Sequence, residues 1–345
     1  MTMMFAAAIG LRLAGAVMLA SPYGGGPPAA PQSPPRTFIV VVTGVGGDPK
    51  FADQFYQLGA SMTDAATKRL GVPDSLVTFL TETPARDPSH RARASTKDEI
   101  ERTLVALSPR MQAGDQLFVL LIGHGSGQGA DSRFNTPGPD PSAADFARML
   151  AGFASHPVFF IDASSASGDF MPVLAAPNRV VITATKSAVE RNESIFARYF
   201  VAAFAADGAD ADKDGRVSLL EAFDYARTEV ARAYESDNKL QSEHAMLDDD
   251  GDGVGSAQPG AKAKDGARAR VAFVGAPRVV AASLSGDPRL NALYAERQTI
   301  EAKIDALKSR KAETDSVAYA RAMETLLVDL ATKSREIRQR EGAKP

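Results

Sequence analysis

Carboxylates recur at Asp210, Asp212 and Asp214, Gly215 follows at once, and Arg216, Ser218 and Glu221 complete a twelve-residue stretch. This spacing supplies the all-oxygen shell that Ca²⁺ prefers: side chains at positions 1, 3, 5 and 9, a backbone carbonyl at 7 (Arg216) and a glutamate at 12 that can bind through both oxygens. Gly215 permits the sharp turn at position 6. A second stretch, Asp248, Asp250, Asp252 and Gly253, repeats the first half of that loop, but its twelfth position is Pro259, which has no ligating side chain. The second stretch is either a weaker metal site completed from elsewhere or a solvated acidic turn. Between Asp207 and Asp252 the chain carries 14 acidic and 5 basic residues, so a net −9 is concentrated there and the rest sums to +6.

A different chemistry lies upstream. The apolar run 117–122 (LFVLLI) ends in Gly123, His124 and Gly125, and the run 158–161 (VFFI) ends in Asp162, Ala163, Ser164, Ser165, Ala166, Ser167 and Gly168. A base and a hydroxyl at neighbouring strand ends form the Ser/His half of a nucleophilic site, and small residues around Ser165 allow a tight turn with amide N–H groups facing an oxyanion. Asp162 is a candidate to flank that site. After the first apolar run, 37–43 (TFIVVVT), comes Gly44-Val45-Gly46-Gly47-Asp48-Pro49, where a dinucleotide fingerprint would need its last glycine at Pro49; no phosphate-binding GK[ST] occurs either. A Ser, acid, His order would have to use His244, but the G-x-S-x-G elbow is missing. His90 and His156 read as structural or solvent-facing.

The elements that must position these groups alternate. Strand-like runs at 37–43, 75–80, 117–122, 158–161 and 180–184 are separated by helical patterns at 51–70, 96–110, 142–153 and 194–206, the second opening on the capping pair Thr96 and Glu99. Continuous apolar strands between helices predict an α/β fold with a mostly parallel sheet covered on both faces, and ligands in such sheets bind at the carboxyl ends of strands. A helix at 219–235 continues from the calcium loop. Leu290, Leu293, Ile300, Ile304 and Leu307, then Tyr319, Met323, Leu326, Leu330 and Ile337, predict an antiparallel helical hairpin, packed on its own chain or used for self-association.

The order "strand, His-Gly; strand, small or acidic residues, Cys-x-Ser-Gly" is the signature of the caspase-fold cysteine peptidases, the legumain and caspase relatives. His124-Gly125 resembles the His-Gly element, and Ser165-Ala166-Ser167-Gly168 resembles Cys-x-Ser-Gly with serine in the place of cysteine. Residues 179–193 (RVVITATKSAVERNE) are similar to the strand and loop of bacterial legumain-like members, and the resemblance spans residues 37–206. It implies a caspase-like fold with His124 and Ser165 at the catalytic positions, Gly125 on the oxyanion side and a polypeptide ligand in the crevice. Ser164 is the alternative register, at the cost of the Ser-Gly match. A serine hydroxyl is far harder to ionise than a thiol, and serine enzymes add a carboxylate behind the histidine that the caspase-type dyad does not require. The expectation is therefore a degenerate peptidase homologue acting as a binding or scaffold module; a hydrolase using Ser165 with His124 as base, and a calcium-stabilised structural adaptor, are the competing readings.

Composition bounds these readings. The 345 residues contain no cysteine, which removes disulfides, thiol nucleophiles and Cys-based zinc sites, and a net charge of −3 argues against a nucleic-acid binder. Residues 1–20 are apolar and small-residue-rich with Arg12 their one charge, and they run into a Pro/Gly-rich stretch, an order that suggests an export signal and linker without a stable membrane span. Export would place the calcium loop in a calcium-replete environment. The expected organisation is 1–36 signal and linker, 37–206 caspase-like domain, 207–259 EF-hand calcium segment, 260–288 linker with a short strand, and 289–345 helical hairpin.

Overall fold

The computed structural model describes residues 35–212, 215–260, 263–275, 287–309 and 315–342. The expected export signal, the metal-ligand candidate Asp214 and much of the 260–288 linker lie outside the described residues. From Pro35 onward the chain forms one compact unit.

Its centre is a seven-stranded sheet. Strands β1 (Thr37–Thr43), β2 (Val77–Thr81), β3 (Arg93–Ala94), β4 (Gln116–Ile122), β7 (Val158–Asp162), β8 (Arg179–Thr183) and β9 (Met246–Asp248) lie in the order β3-β2-β1-β4-β7-β8-β9. All neighbours are parallel except β8 and β9, which run antiparallel with Ile182 opposite Leu247. A two-stranded ribbon, β5 (Gly125–Ser126) with β6 (Arg133–Phe134), follows β4. Helices α1 (Pro49–Asp64), α2 (Lys97–Leu107), α3 (Ala143–Met149), α4 (Met171–Leu174), α5 (Phe196–Ala205), α6 (Leu219–Ser236), α7 (Pro288–Ser309) and α8 (Ser316–Gly342) complete the fold. The α/β architecture with a mostly parallel sheet is the expected one.

Side-chain alternation along each strand explains the layers. Ile39, Val41, Phe118, Leu120, Phe159, Ile161 and Ile182 point to one face, where α1, α5 and α6 cover them; Phe38, Val40, Val119, Leu121, Phe160 and Val181 point to the other, under α2, α3 and α4. Because both faces are dry, the strands are apolar at nearly every position. Helix α6, which follows the 210–221 loop, buries Leu219, Phe223 and Val230 in the first of these layers.

Local rules set most boundaries. Asp48 caps α1 by accepting from the Lys50 amide and Pro49 opens the helix, while Thr96 caps α2 as expected. Glu99, the other member of that capping pair, pairs with Arg93 and Arg102. The pattern over 51–70 resolves into α1 and a π-helical turn, Ala65–Arg69. Two strands of the seven-stranded sheet carry no signal in the sequence pattern. Strand β3 is two residues long, and β9 hides in the approach to the second acidic loop.

The predicted hairpin forms as α7 and α8, with Leu290, Leu293, Tyr294, Ile304 and Ile337 buried. Val317, Leu327 and Val328 on α8 remain exposed. Among the described residues no helix is long and apolar enough to cross a membrane.

Candidate functional site

His124 and Ser165 come together because β4 and β7 are adjacent and parallel, so both chains leave the sheet at the same edge. The His124 ring is half-buried, meeting Phe51 and Phe55 of α1 edge-on at 5.0 Å between ring centroids in each case. Burial between these rings lowers its pKa, against the opposing pull of Glu193 and of a hydrogen bond to the Gly46 backbone. At neutral pH the imidazole is therefore uncharged.

Ser165 is only 2% exposed. Its Oγ accepts a hydrogen bond from the Gly125 amide at 3.3 Å. The close approach explains the glycine: a Cβ at position 125 would lie 2.2 Å from the Ser165 carbonyl oxygen. Among the described residues no hydrogen bond joins the His124 ring to Ser165 Oγ. Ala166, immediately after, sits in the left-handed region at φ 56°, a conformation that costs an alanine about 1 kcal/mol or more and is held by the surrounding turn.

The rest of the serine-rich turn is committed to structure. Ser164 Oγ donates to Asp162 Oδ1 at 2.6 Å, and the Ser164 amide adds a second bond at 3.0 Å. Ser167 Oγ accepts from the Ala184 and Thr185 amides, tying the turn to the end of β8. Gly168 is pressed against Ser187, whose nitrogen a Cβ would meet at 2.1 Å. The Ser-Gly pair that looks like a motif is thus also a packing requirement.

Asp162 does not flank His124. It pairs with Leu121 and Thr183 across the sheet, on the face covered by α2 and α3, whereas His124 packs on α1. Its Oδ2 is buried without a hydrogen-bond partner, and burial pushes the carboxyl up to about 6. Alternation along β7 decides this: Ile161 and Ala163 lie in the layer with α1, so the side chain between them points the other way.

Loops outside the His-Gly and Ser-x-Ser-Gly elements also meet at the site. Glu190 accepts the Ala166 amide through its backbone carbonyl at 2.9 Å, and its carboxylate lies 2.6 Å from His244 Nδ1. Asp169 receives the amides of Gly129 (2.6 Å) and Ala188 (3.1 Å), joining two loops. His244 is bound to Glu190, and among the described residues it makes no hydrogen bond to Ser165. His90 lies between Asp87 and Asp64, with Nδ1 3.1 Å from the first and Nε2 3.5 Å from the second; His156 Nδ1 is 3.2 Å from the Asp115 carbonyl.

Asp210, Asp212 and Glu221 bring carboxylate oxygens within 4.8 Å of one another, as do Asp248, Asp250 and Asp252. In the first loop Glu221 reaches back into the turn: Oε1 accepts the Ala211 and Asp212 amides, and Oε2 accepts from Ser218 in a capping box that starts α6. Gly215 has φ 87° and donates to Asp210 Oδ2 at 3.0 Å, while the Arg216 guanidinium stacks on Phe273. Ser218 forms an isolated antiparallel bridge with Phe273. The hard oxygen donors fit a calcium-type ion. In the second loop both Asp248 oxygens accept amides, from Gly251 and Gly253, and the Lys264 ammonium pairs with Asp252 and Asp250. A cationic side chain already offsets part of the charge of that cluster.

No protein-family profile and no curated protein sequence matches the chain. Among solved structures it is similar to the Drosophila initiator caspase Dronc, at 9% identity and a TM-score of 0.40, over 62% of this chain and 78% of that one.

Proposed function

We propose that this chain is a caspase/legumain-type, catalytically degenerate peptidase homologue that binds a polypeptide in the crevice at the ends of β4 and β7 and carries structural Ca²⁺ in the 210–221 loop. The carrying observation is the state of Ser165: its hydroxyl is buried and takes the hydrogen bond of the Gly125 amide, the donor an oxyanion would need. In this arrangement the hydroxyl is shielded from substrate and, among the described residues, makes no hydrogen bond to His124. The strand order and the convergence of His124 with Ser165 support the caspase-type reading; the oxygen-rich loop capping α6 supports calcium, and the signal-like N-terminus supports export.

An uncharged His124 beside a strained turn favours the serine-hydrolase alternative, because it is what a base and nucleophile would need after rearrangement. A serine-reactive phosphonate probe with Ca²⁺ present separates the two. No labelling is expected; labelling that disappears in Ser165→Ala would overturn the degenerate reading.

A further inference from the structure

Residues 186–194 leave β8 without regular secondary structure and return over the Ser165 turn. Three polar pins hold them. Asp169 takes the Ala188 amide. Glu190 binds Ala166 through its carbonyl, and its carboxylate accepts the amides of Lys186 and His244, each at 3.0 Å, in addition to facing the His244 ring. At the far end, buried Glu243 accepts from Ser194 Oγ at 2.6 Å and from the amides of Ile195 and Phe196, closing the N-terminus of α5. Between the pins Val189, Arg191 and Asn192 are exposed.

The pins are unequal. All three carboxylates accept backbone amides, but the Glu190 carboxylate, 10% exposed, also relies on a side-chain partner open to water, the His244 ring, which is 45% exposed. A segment with few buried apolar contacts and solvent-facing hydrogen bonds opens locally at a fraction of the cost of global unfolding. Opening here frees the Ala166 amide from the Glu190 carbonyl, leaving a main-chain donor in the turn after β7 for a polypeptide carbonyl.

We infer that residues 186–194 are a strap closing the crevice over Ser165, with the Glu190–His244 pair as its catch, and that a polypeptide ligand replaces the Glu190 carbonyl on the Ala166 amide. The ligand half of this inference rests on the crevice reading given above; the strap half does not.

Because the chain has no cysteine, Ser165→Cys installs a unique thiol whose reaction with a disulfide reagent reports access to the crevice. In that background His244→Ala and Glu190→Ala should each speed thiol reaction about tenfold or more, the change that accompanies loss of a hydrogen bond to a charged group, while Asp237→Asn at the end of α6 should leave the rate unchanged. Equal rates in all variants, or a Ser165→Cys thiol that already reacts as fast as in the unfolded chain, overturn the strap. Should the cysteine variant not fold, amide exchange at Ala166 in His244→Ala with Ser165 intact reads the same opening: faster exchange than in wild type is expected, and an unchanged rate overturns the strap. A strap that opens as expected while unstructured polypeptide probes still fail to bind overturns the ligand half alone.

Discussion

Replacing Asp162 by asparagine should remove a pH dependence that the wild-type chain carries. The carboxyl is fully buried, Oδ1 is satisfied by Ser164, Oδ2 has no partner, and its pKa rises from 3.8 to about 6. Well below pH 3.8 the group is protonated in folded and unfolded states alike and costs nothing. Between about pH 4 and 6 the unfolded chain releases the proton first, so the folded state binds more protons and stability falls as pH rises. The shift of about 2 units corresponds to about 3 kcal/mol, reached in full above the folded pKa. Asparagine keeps the acceptor for Ser164 and places an NH₂ at the orphaned position, an offset of about 1–3 kcal/mol that does not vary with pH. Urea unfolding of both proteins across the range from about pH 4 to about pH 7.5 measures the difference. Wild type minus variant should become less favourable by about 2.4 kcal/mol from the lowest to the highest pH, other titrations cancelling between the two proteins. A difference constant across that range refutes the assignment of Asp162 as the destabilising buried acid.

Two other outcomes follow from the same geometry. Calcium at about 100 times its dissociation constant should stabilise the chain by about 2.7 kcal/mol relative to chelator; Glu221→Gln, which keeps the capping box but loses the bidentate carboxylate, should abolish that difference, and a melting temperature indifferent to chelator would sink the calcium reading. Gly125→Ala should destabilise by about 1–3 kcal/mol, because the new Cβ meets the Ser165 carbonyl at 2.2 Å; an unchanged melting curve would mean the two strand-end turns are not in contact.

Much of the fold was legible because its physical signals are local. A strand dry on both faces must be apolar throughout, so 37–43, 117–122 and 158–161 announce themselves, and β9 does not because it is three residues long and ends in Asp248. The turn chemistry of the 210–221 loop is likewise written in one contiguous stretch. His124 and Ser165 could be paired on paper because parallel neighbouring strands end at the same edge.

Which face each group takes, and what lies over it, depended on contacts between distant residues. Asp162 differs from Ala163 by one position, and that single step of the pleat sends it away from His124. Glu190 finds His244 across 54 residues, and nothing in the type or spacing of either predicts the meeting. Residue types and spacing alone set the chemistry on offer: carboxylates in a loop, a histidine and serines at strand ends, and no thiol anywhere. That the Ser165 hydroxyl is enclosed and occupied by an amide is visible in the fold alone, because burial and hydrogen-bond partnership are properties of chain segments brought together by packing.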